Sequence, residues 1–237
     1  MNTKQLKIEP IHGNGRIDSR DYGAKASQLR CLANLGLPVP AGFLMGSDLA
    51  QEAMVEDGLK ISKKLENLNG LYALRASSSN RDWGSVDTIL NLGMNDLCLE
   101  EISLKIGKRE ALEVYRRFIN NFGVSVFGLE PELFQEIHNT DKRSPYFDKD
   151  WLLDERTLKS IVKHSKIIFR QETGIEFPQL LEEQLDYAFV AMARSWYRPS
   201  AKILRTTRGA PDEAGVGLIL QKMVLGFGSK YSGSGCI

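Results

Sequence analysis

Ten residues late in the chain constrain its fold more than any others. Val216 to Leu225 reads Val-Gly-Leu-Ile-Leu-Gln-Lys-Met-Val-Leu and is almost unbroken in apolar character. A strand with one wet face would alternate polar and apolar residues, whereas a short apolar run without alternation fits a strand buried on both faces. The glycine-rich turn Gly226-Phe227-Gly228 should lead into an antiparallel partner, of which only Gly235-Cys236-Ile237 remain. The strand is therefore expected to stand largely unpaired at a sheet edge, where it invites association.

The middle of the chain has a different period. Leu112, Tyr115, Phe118, Ile119 and Phe122 share one helical face. Leu158, Ile161, Val162, Ile168 and Phe169 make a second, and Leu181, Leu185, Phe189 and Met192 a third. Helices thus fill a block between two mixed regions, which predicts an α+β fold rather than one continuous parallel sheet. Before the block, residues 1–22 are polar and turn-rich. Gly23 to Gly36 reads as a helix, with Ala26, Leu29, Leu32, Ala33 and Leu35 at helical spacing and Gly36 as its stop. Leu37-Pro38-Val39-Pro40-Ala41-Gly42-Phe43 is extended, because each proline disfavours helix at the residue before it. A helix is expected over 47–67, a buried strand over 71–74 and a serine-rich loop over 76–80. After the block, Arg194-Ser195-Trp196-Tyr197-Arg198-Pro199 reads as a helix end followed by a proline-started helix.

Composition narrows the function classes. The 237 residues carry 31 Lys and Arg against 30 Asp and Glu, a net charge of +1. That balance argues against nucleic-acid binding through a broad basic surface, while leaving room for a small anion site. No apolar run reaches the ~18 residues that would span a membrane, and the first residues lack the apolar core of a signal peptide. Cys31, Cys98 and Cys236 are odd in number and far apart, which fits a reducing compartment and predicts a cytoplasmic protein. His12, His138 and His164 have no metal-ligand spacing around them, so no metal site is expected.

Four segments offer anion chemistry, each with a plainer alternative. Lys25 lies in the first turn of the first helix, where unsatisfied N–H groups and the helix dipole favour a phosphate; the alternative is a solvated lysine at an ordinary helix start. Arg75 closes a strand before Ala76-Ser77-Ser78-Ser79 and could fork a phosphate, or make a structural salt bridge. Gly84 and Thr88 belong to Trp83-Gly84-Ser85-Val86-Asp87-Thr88, a glycine turn that can offer N–H and hydroxyl groups, or a capped helix start. Gln221 lies in the late strand, whose backbone could meet the edge of an adenine, or simply belong to the core. The late glycines are not preceded by a strand and followed by a helix, so a dinucleotide-binding Rossmann reading fails.

Taken in order, these segments resemble one family. Gly23-Ala24-Lys25-Ala26-Ser27-Gln28-Leu29 with Leu35-Gly36-Leu37-Pro38-Val39-Pro40-Ala41-Gly42-Phe43 is similar to the opening G-G-K-G-x-x-L…G-L-P-V-P-x-G-F of the phosphoenolpyruvate-utilising dikinases. Leu74-Arg75-Ala76-Ser77, the run Trp83 to Gly93, Tyr115-Arg116-Arg117-Phe118-Ile119, Arg194-Ser195-Trp196, Gln221-Lys222-Met223-Val224 and Ser232-Gly233-Ser234-Gly235 follow in the family's order. Asp87-Thr88-Ile89-Leu90-Asn91-Leu92-Gly93 resembles the pyruvate, phosphate type more than phosphoenolpyruvate synthases or rifampin phosphotransferases.

The resemblance implies the first lobe of an ATP-grasp fold with an inserted helical subdomain and an incomplete second lobe. The boundaries it suggests are 1–108 for the first part of the nucleotide-binding lobe, 109–183 for the insertion, 184–215 for the return and 216–237 for the start of the second lobe. ATP with Mg²⁺ is the implied ligand, with Lys25 and Arg75 on its phosphates, Gly84 and Thr88 in the loop over them, and Gln221 flanking the adenine. In the family the phosphoryl group passes to a histidine on a separate domain and then to pyruvate, so a separate polypeptide carrying those domains is the implied partner. Ala24 and Ala26 stand where the family has glycines, and Ser85 and Val86 where it has paired methionines. The family's metal-binding acid and amide come after the point where this chain stops. The expectation is a nucleotide-binding region inactive alone; the alternatives are a non-catalytic binding module or a related dikinase with another acceptor.

Overall fold

A computed structural model describes residues 7–55, 59–83, 88–135 and 153–226. In chain order they form β1 (Ile8–Pro10), α1 (Ser19–Tyr22), α2 (Ala24–Asn34), β2 (Gly42–Met45), α3 (Ser47–Glu52), β3 (Tyr72–Ser78) and β4 (Ile89–Leu92). Then come α4 (Cys98–Ile106), α5 (Lys108–Phe127), α6 (Pro131–Gln135), α7 (Glu155–Thr173), α8 (Leu181–Tyr197), α9 (Pro199–Thr207) and β5 (Val216–Lys222). The chain divides into a sheet unit, 1–92 with 185–223, and a helical unit, 93–184 with the residues from 224 onward.

The sheet unit holds five strands in the order β1-β2-β5-β3-β4, every neighbouring pair antiparallel. This is the mixed helix and antiparallel-sheet class that the sequence predicts. The late apolar strand, however, is not at an edge. Gly42 to Met45 pair with Gln221 to Leu218 on one side, and Tyr72 to Ser78 pair with Lys222 to Val216 on the other. Its partners come from far earlier in the chain rather than from the residues after it. The apolar pattern reports burial on both faces, which holds, but it carries no information about which strands lie alongside. β5 is accordingly the central strand of this sheet, not the opening of a second lobe.

Opposed residues of paired strands point to the same face. One face carries Leu44, Ile219, Arg75, Ser77 and Gln221; the other carries Met45, Leu218, Leu220 and Leu74, all buried. α1 and α2 cover the first face, where Ile11, Tyr22, Ala26, Leu44 and Ile219 form one cluster edged by Ile17, Leu29, Ala33 and Val39. α2 ends as its glycine predicts: Gly36 sits at φ 76°, its N–H donating to Ala33 O at 3.0 Å and the Leu37 N–H to Leu32 O at 3.2 Å.

Two local expectations change. The helix expected over 47–67 is a short α3 and, later, a 3₁₀ turn at Ile61–Lys64. Asp186 holds that turn, its carboxylate accepting from both the N–H and the hydroxyl of Ser62 at 2.9 Å. Of the loop expected over 76–80, the first three residues extend β3 instead, because Ala76, Ser77 and Ser78 find partners in Leu218, Gly217 and Val216, while Ser79 and Asn80 lie beyond the strand.

The helical unit is built on aromatic packing. Phe118, Phe122, Phe169 and Phe177 meet edge-on or tilted at centroid distances of 5.2–6.4 Å. The α5 and α7 faces read from periodicity are buried, except that Ile168 is half-buried while Ser165 lies fully inside. The unit begins at Gly93 rather than 109, since α4 precedes α5. It ends at Gln184, within α8.

Candidate anion site on the helix-covered face of the sheet

The site is organised by the corner between α1 and α2. Asp18 caps α1, its Oδ1 accepting from Arg20 N–H at 2.8 Å. Gly23 then ends α1 and starts α2 at φ 84° and ψ 163°, a conformation open essentially to glycine alone. A Cβ there would overlap the carbonyl and hydroxyl oxygens of Ser77, so the helix start lies directly against β3. Gly217 allows the same approach beneath Tyr22, whose carbonyl a side chain at 217 would strike. What Gly23 admits so closely is the sheet itself.

Gly23 has no side chain to cap α2, and Ser77 supplies the acceptor from β3. Its Oγ accepts from the Ala26 N–H at 3.1 Å, and Ser77 is fully buried. Ala26 is also fully buried, its methyl in the Ile11–Tyr22–Leu44–Ile219 cluster. The alanine that replaces a family glycine therefore packs the helix on the sheet. Lys25, between these two anchor points, directs its Nζ to the carbonyl of Ala76 at 3.4 Å.

Arg75 lies opposite Ile219, on the same covered face as Ser77 and next to the residue whose carbonyl meets Lys25. It is half-buried, and its side chain has no hydrogen-bond or ion-pair partner among the described residues. Lys25 and Arg75 are therefore brought to one region of one face. Thr88 is exposed and immediately precedes Ile89, which pairs with Leu74, so the backbone carries it toward Arg75 at the sheet edge. Gly84, the rest of that loop through Asp87 and the Ser232–Gly235 turn lie outside the described residues.

Gln221 differs from its expectation. It shares the covered face, but its backbone lies between two hydrogen-bonded strands, opposite Gly42 and Ala73. Its side-chain Nε2 donates to Pro40 O at 3.3 Å, and the following N–H groups of Lys222 and Met223 donate to Ala41 and Leu71 at 2.8 Å. A central strand has its edges occupied, so the backbone contact to an adenine expected at Gln221 is not offered there.

Most neighbouring polar groups are satisfied internally, although Arg30 Nε is buried without a hydrogen-bond partner among the described residues. Arg30 is buried and donates to the carbonyls of Pro10 at 2.7 Å and Asn14 at 3.1 Å, tying down the turn-rich segment before α1. His12 shares a 2.8 Å hydrogen bond with the Val39 carbonyl. Burial, reinforced by Glu9, Asp48 and Asp21, pushes the Tyr22 hydroxyl up to about 12. Trp196 packs under the Arg205 guanidinium at 3.9 Å and donates to Ala214 O at 3.0 Å. Among the described residues no three His, Cys, Asp or Glu side chains stand together as an all-protein metal cage would need. No helix there is long and apolar enough to cross a membrane. Nothing in the sequence signals what Ser77 does, although it closes the family-like segment Leu74-Arg75-Ala76-Ser77 and lies two positions beyond Arg75 on the same strand face.

Comparison with known proteins matches no family profile. Curated relatives do match. Pyruvate, phosphate dikinase of Clostridium symbiosum is 31% identical over 238 residues, covering 90% of this chain and 27% of that protein. The Rhizobium meliloti enzyme is 30% identical over 90% of the chain and 26% of its own length. The chloroplastic enzyme of Mesembryanthemum crystallinum is 30% identical over 95% and 26% respectively. The chain thus spans about a quarter of the length of these relatives. Across nearly its whole length the chain is thus similar to part of the pyruvate, phosphate dikinases, about a quarter of such a protein.

Proposed function

We propose that the chain is the nucleotide-binding part of a pyruvate, phosphate dikinase and takes the phosphates of ATP at Lys25 and Arg75, in an ATP-grasp arrangement. Arg75 supports this reading most: a half-buried guanidinium on a helix-covered face, without a partner among the described residues. Holding a cation partly out of water without a counter-charge is unfavourable. A phosphate removes that cost, because a guanidinium grips two of its oxygens through parallel N–H···O bonds. Lys25 adds a point charge to the same face, and phosphoryl transfer is mainly positioning and charge neutralisation. Mg²⁺ would enter with the nucleotide and offset triphosphate charge. Thr88, and Gly84 by resemblance, belong to the loop over the phosphates. The phosphohistidine and pyruvate steps of the family are proposed to lie elsewhere, on a separate segment or polypeptide, so this chain alone forms no phosphoenolpyruvate. A cytoplasmic setting belongs to the same reading.

Calorimetric titration with ATP, with and without Mg²⁺, tests it. The expected result is ATP binding that weakens about tenfold or more in Arg75→Ala, the usual cost of a lost charged hydrogen bond. No binding by the wild-type chain, or equal affinity in Arg75→Ala, would overturn the phosphate assignment. Pyruvate-dependent AMP release by the purified chain would overturn its inactivity alone.

A further inference from the structure

We infer that Ser77 is the positioning residue that sets Lys25 against Arg75, an inference resting on the phosphate reading above. Ser77 and Arg75 are two residues apart on β3 and share one face, so their separation is set by the strand itself. Lys25 has no such covalent relation to Arg75; it approaches from α2, a distant part of the sequence. The connection between them is the contact of α2 with Ser77. The Ser77 Oγ takes the Ala26 N–H at 3.1 Å, immediately after Lys25. Gly23, two residues before Lys25, lies so close to Ser77 that no side chain fits between them. The Lys25 backbone is thus pinned on both sides by one residue of the strand that carries Arg75.

That arrangement opposes a specific force. Two cations brought to one face repel each other, and the first turn of α2, which has no local side-chain cap, is the element that can yield. A fully buried acceptor from β3 replaces the missing cap and holds the turn in place before any ligand arrives. A site organised in advance loses less freedom on binding, so the benefit falls on the ligand that needs both cations. That ligand carries two or more linked phosphates. A nucleoside with one phosphate, or none, has little use for the spacing.

The test is calorimetric titration of Ser77→Ala, Lys25→Ala and the double variant with ATP and with AMP. Ser77→Ala is expected to weaken ATP about tenfold while changing AMP by less than about twofold, and to have no further effect in the Lys25→Ala background. Ser77→Cys fills similar space with a weaker acceptor and keeps the test available if the alanine variant does not fold; it should lie between wild type and Ser77→Ala. Amide hydrogen exchange reads the contact without ligand: Ala26 N–H protection should fall in both Ser77 variants. Equal losses for ATP and AMP, or additive losses in the double variant, would make Ser77 merely structural and overturn the inference. Unchanged ATP affinity in a folded variant would overturn it as well. If the wild type binds ATP, such results leave the phosphate reading standing; if it does not, both fall.

Discussion

The two units treat charge in opposite ways. In the helical unit the charged groups near the core are matched. Arg116 is buried and donates to Glu113 at 2.6 and 2.9 Å, and Arg117 joins the same carboxylate at 2.6 Å. Burial opposes charge on Glu113, yet the two guanidiniums hold its carboxyl below the usual carboxylate range. Lys166 meets both oxygens of Asp96 at 2.8 Å, and the Tyr115 hydroxyl donates to the same carboxylate at 3.0 Å. Gln184, fully buried, accepts from Gly93 N–H at 2.7 Å and donates to the Met94 and Pro178 carbonyls. The sheet unit also satisfies Asp186 and the terminal nitrogens of Arg30, but among the described residues it leaves Arg30 Nε and Glu52 Oε2 buried without a hydrogen bond and the half-buried Arg75 side chain unmatched. A matched charge serves the fold. An unmatched one, on a face that also carries Lys25, is where a ligand gains most.

The comparison can be broken first in the helical core. Phe122 is fully buried and packs against Phe118, Phe127, Phe169 and Phe177. Phe122→Ala should cost about 3–5 kcal/mol, read by urea unfolding, because the cluster cannot close around the lost ring. ATP affinity measured below the unfolding transition should hardly change; a parallel loss would show that the units do not differ as described.

Gly23→Ala attacks the corner in the sheet unit. Strain at its positive φ, with the overlap on Ser77, should destabilise by about 3 kcal/mol. Unlike Phe122→Ala it should also weaken ATP binding, and a variant of wild-type affinity would mean the corner does not shape the site.

The sharpest contrast sets one arginine against another. Arg116→Ala leaves the partly buried Glu113 carboxylate to Arg117 alone and should cost on the order of 2 kcal/mol in chemical unfolding, with ATP titration unaffected. Arg75→Ala should change stability by less than about 0.5 kcal/mol while weakening ATP. Equal stability losses for the two would erase the distinction between matched and unmatched charge.

The smallest effect is a pH dependence at the corner. The Tyr22 hydroxyl is raised from 10 to about 12, first by burial and then by the nearby carboxylates. A raised value means that the folded state holds the proton more tightly. Its contribution to stability is therefore complete below pH 10 and is lost as pH rises toward 12. Thermal unfolding across that window should fall less steeply in Tyr22→Phe than in wild type, and identical slopes would refute the assignment.

Much of this molecule was legible from local chemistry. Gly36 stops α2 because glycine alone takes the positive φ at that helix end cheaply, and Pro199 restarts the chain as α9 just after α8 ends at Tyr197. The faces of α5 and α7 follow from a 3.6-residue period that burial then occupies. Lys25 and Arg75 were legible as residues suited to phosphate. Not legible were the strands beside β5, the extension of β3 through its serines and the role of Ser77. Each depends on a partner far away in the chain: Ser77 meets Ala26, Ser78 pairs with Val216, and Gln221 lies between Gly42 and Ala73.

By itself, then, the sequence determined which segments are helical, which strand is buried on both faces and which side chains suit an anion. Those properties arise within a few residues, from backbone dihedral limits and from the spacing of apolar groups. The tertiary structure decided that β5 is central, that Gln221 has its backbone enclosed, and that Lys25 and Arg75 share a face while the Arg75 side chain stays unmatched among the described residues. Strand order and convergence arise from contacts between segments distant in sequence. Many pairings satisfy the same local pattern, and only the packing of the whole unit, with Gly23 and Gly217 giving the helices room against the sheet, selects one of them.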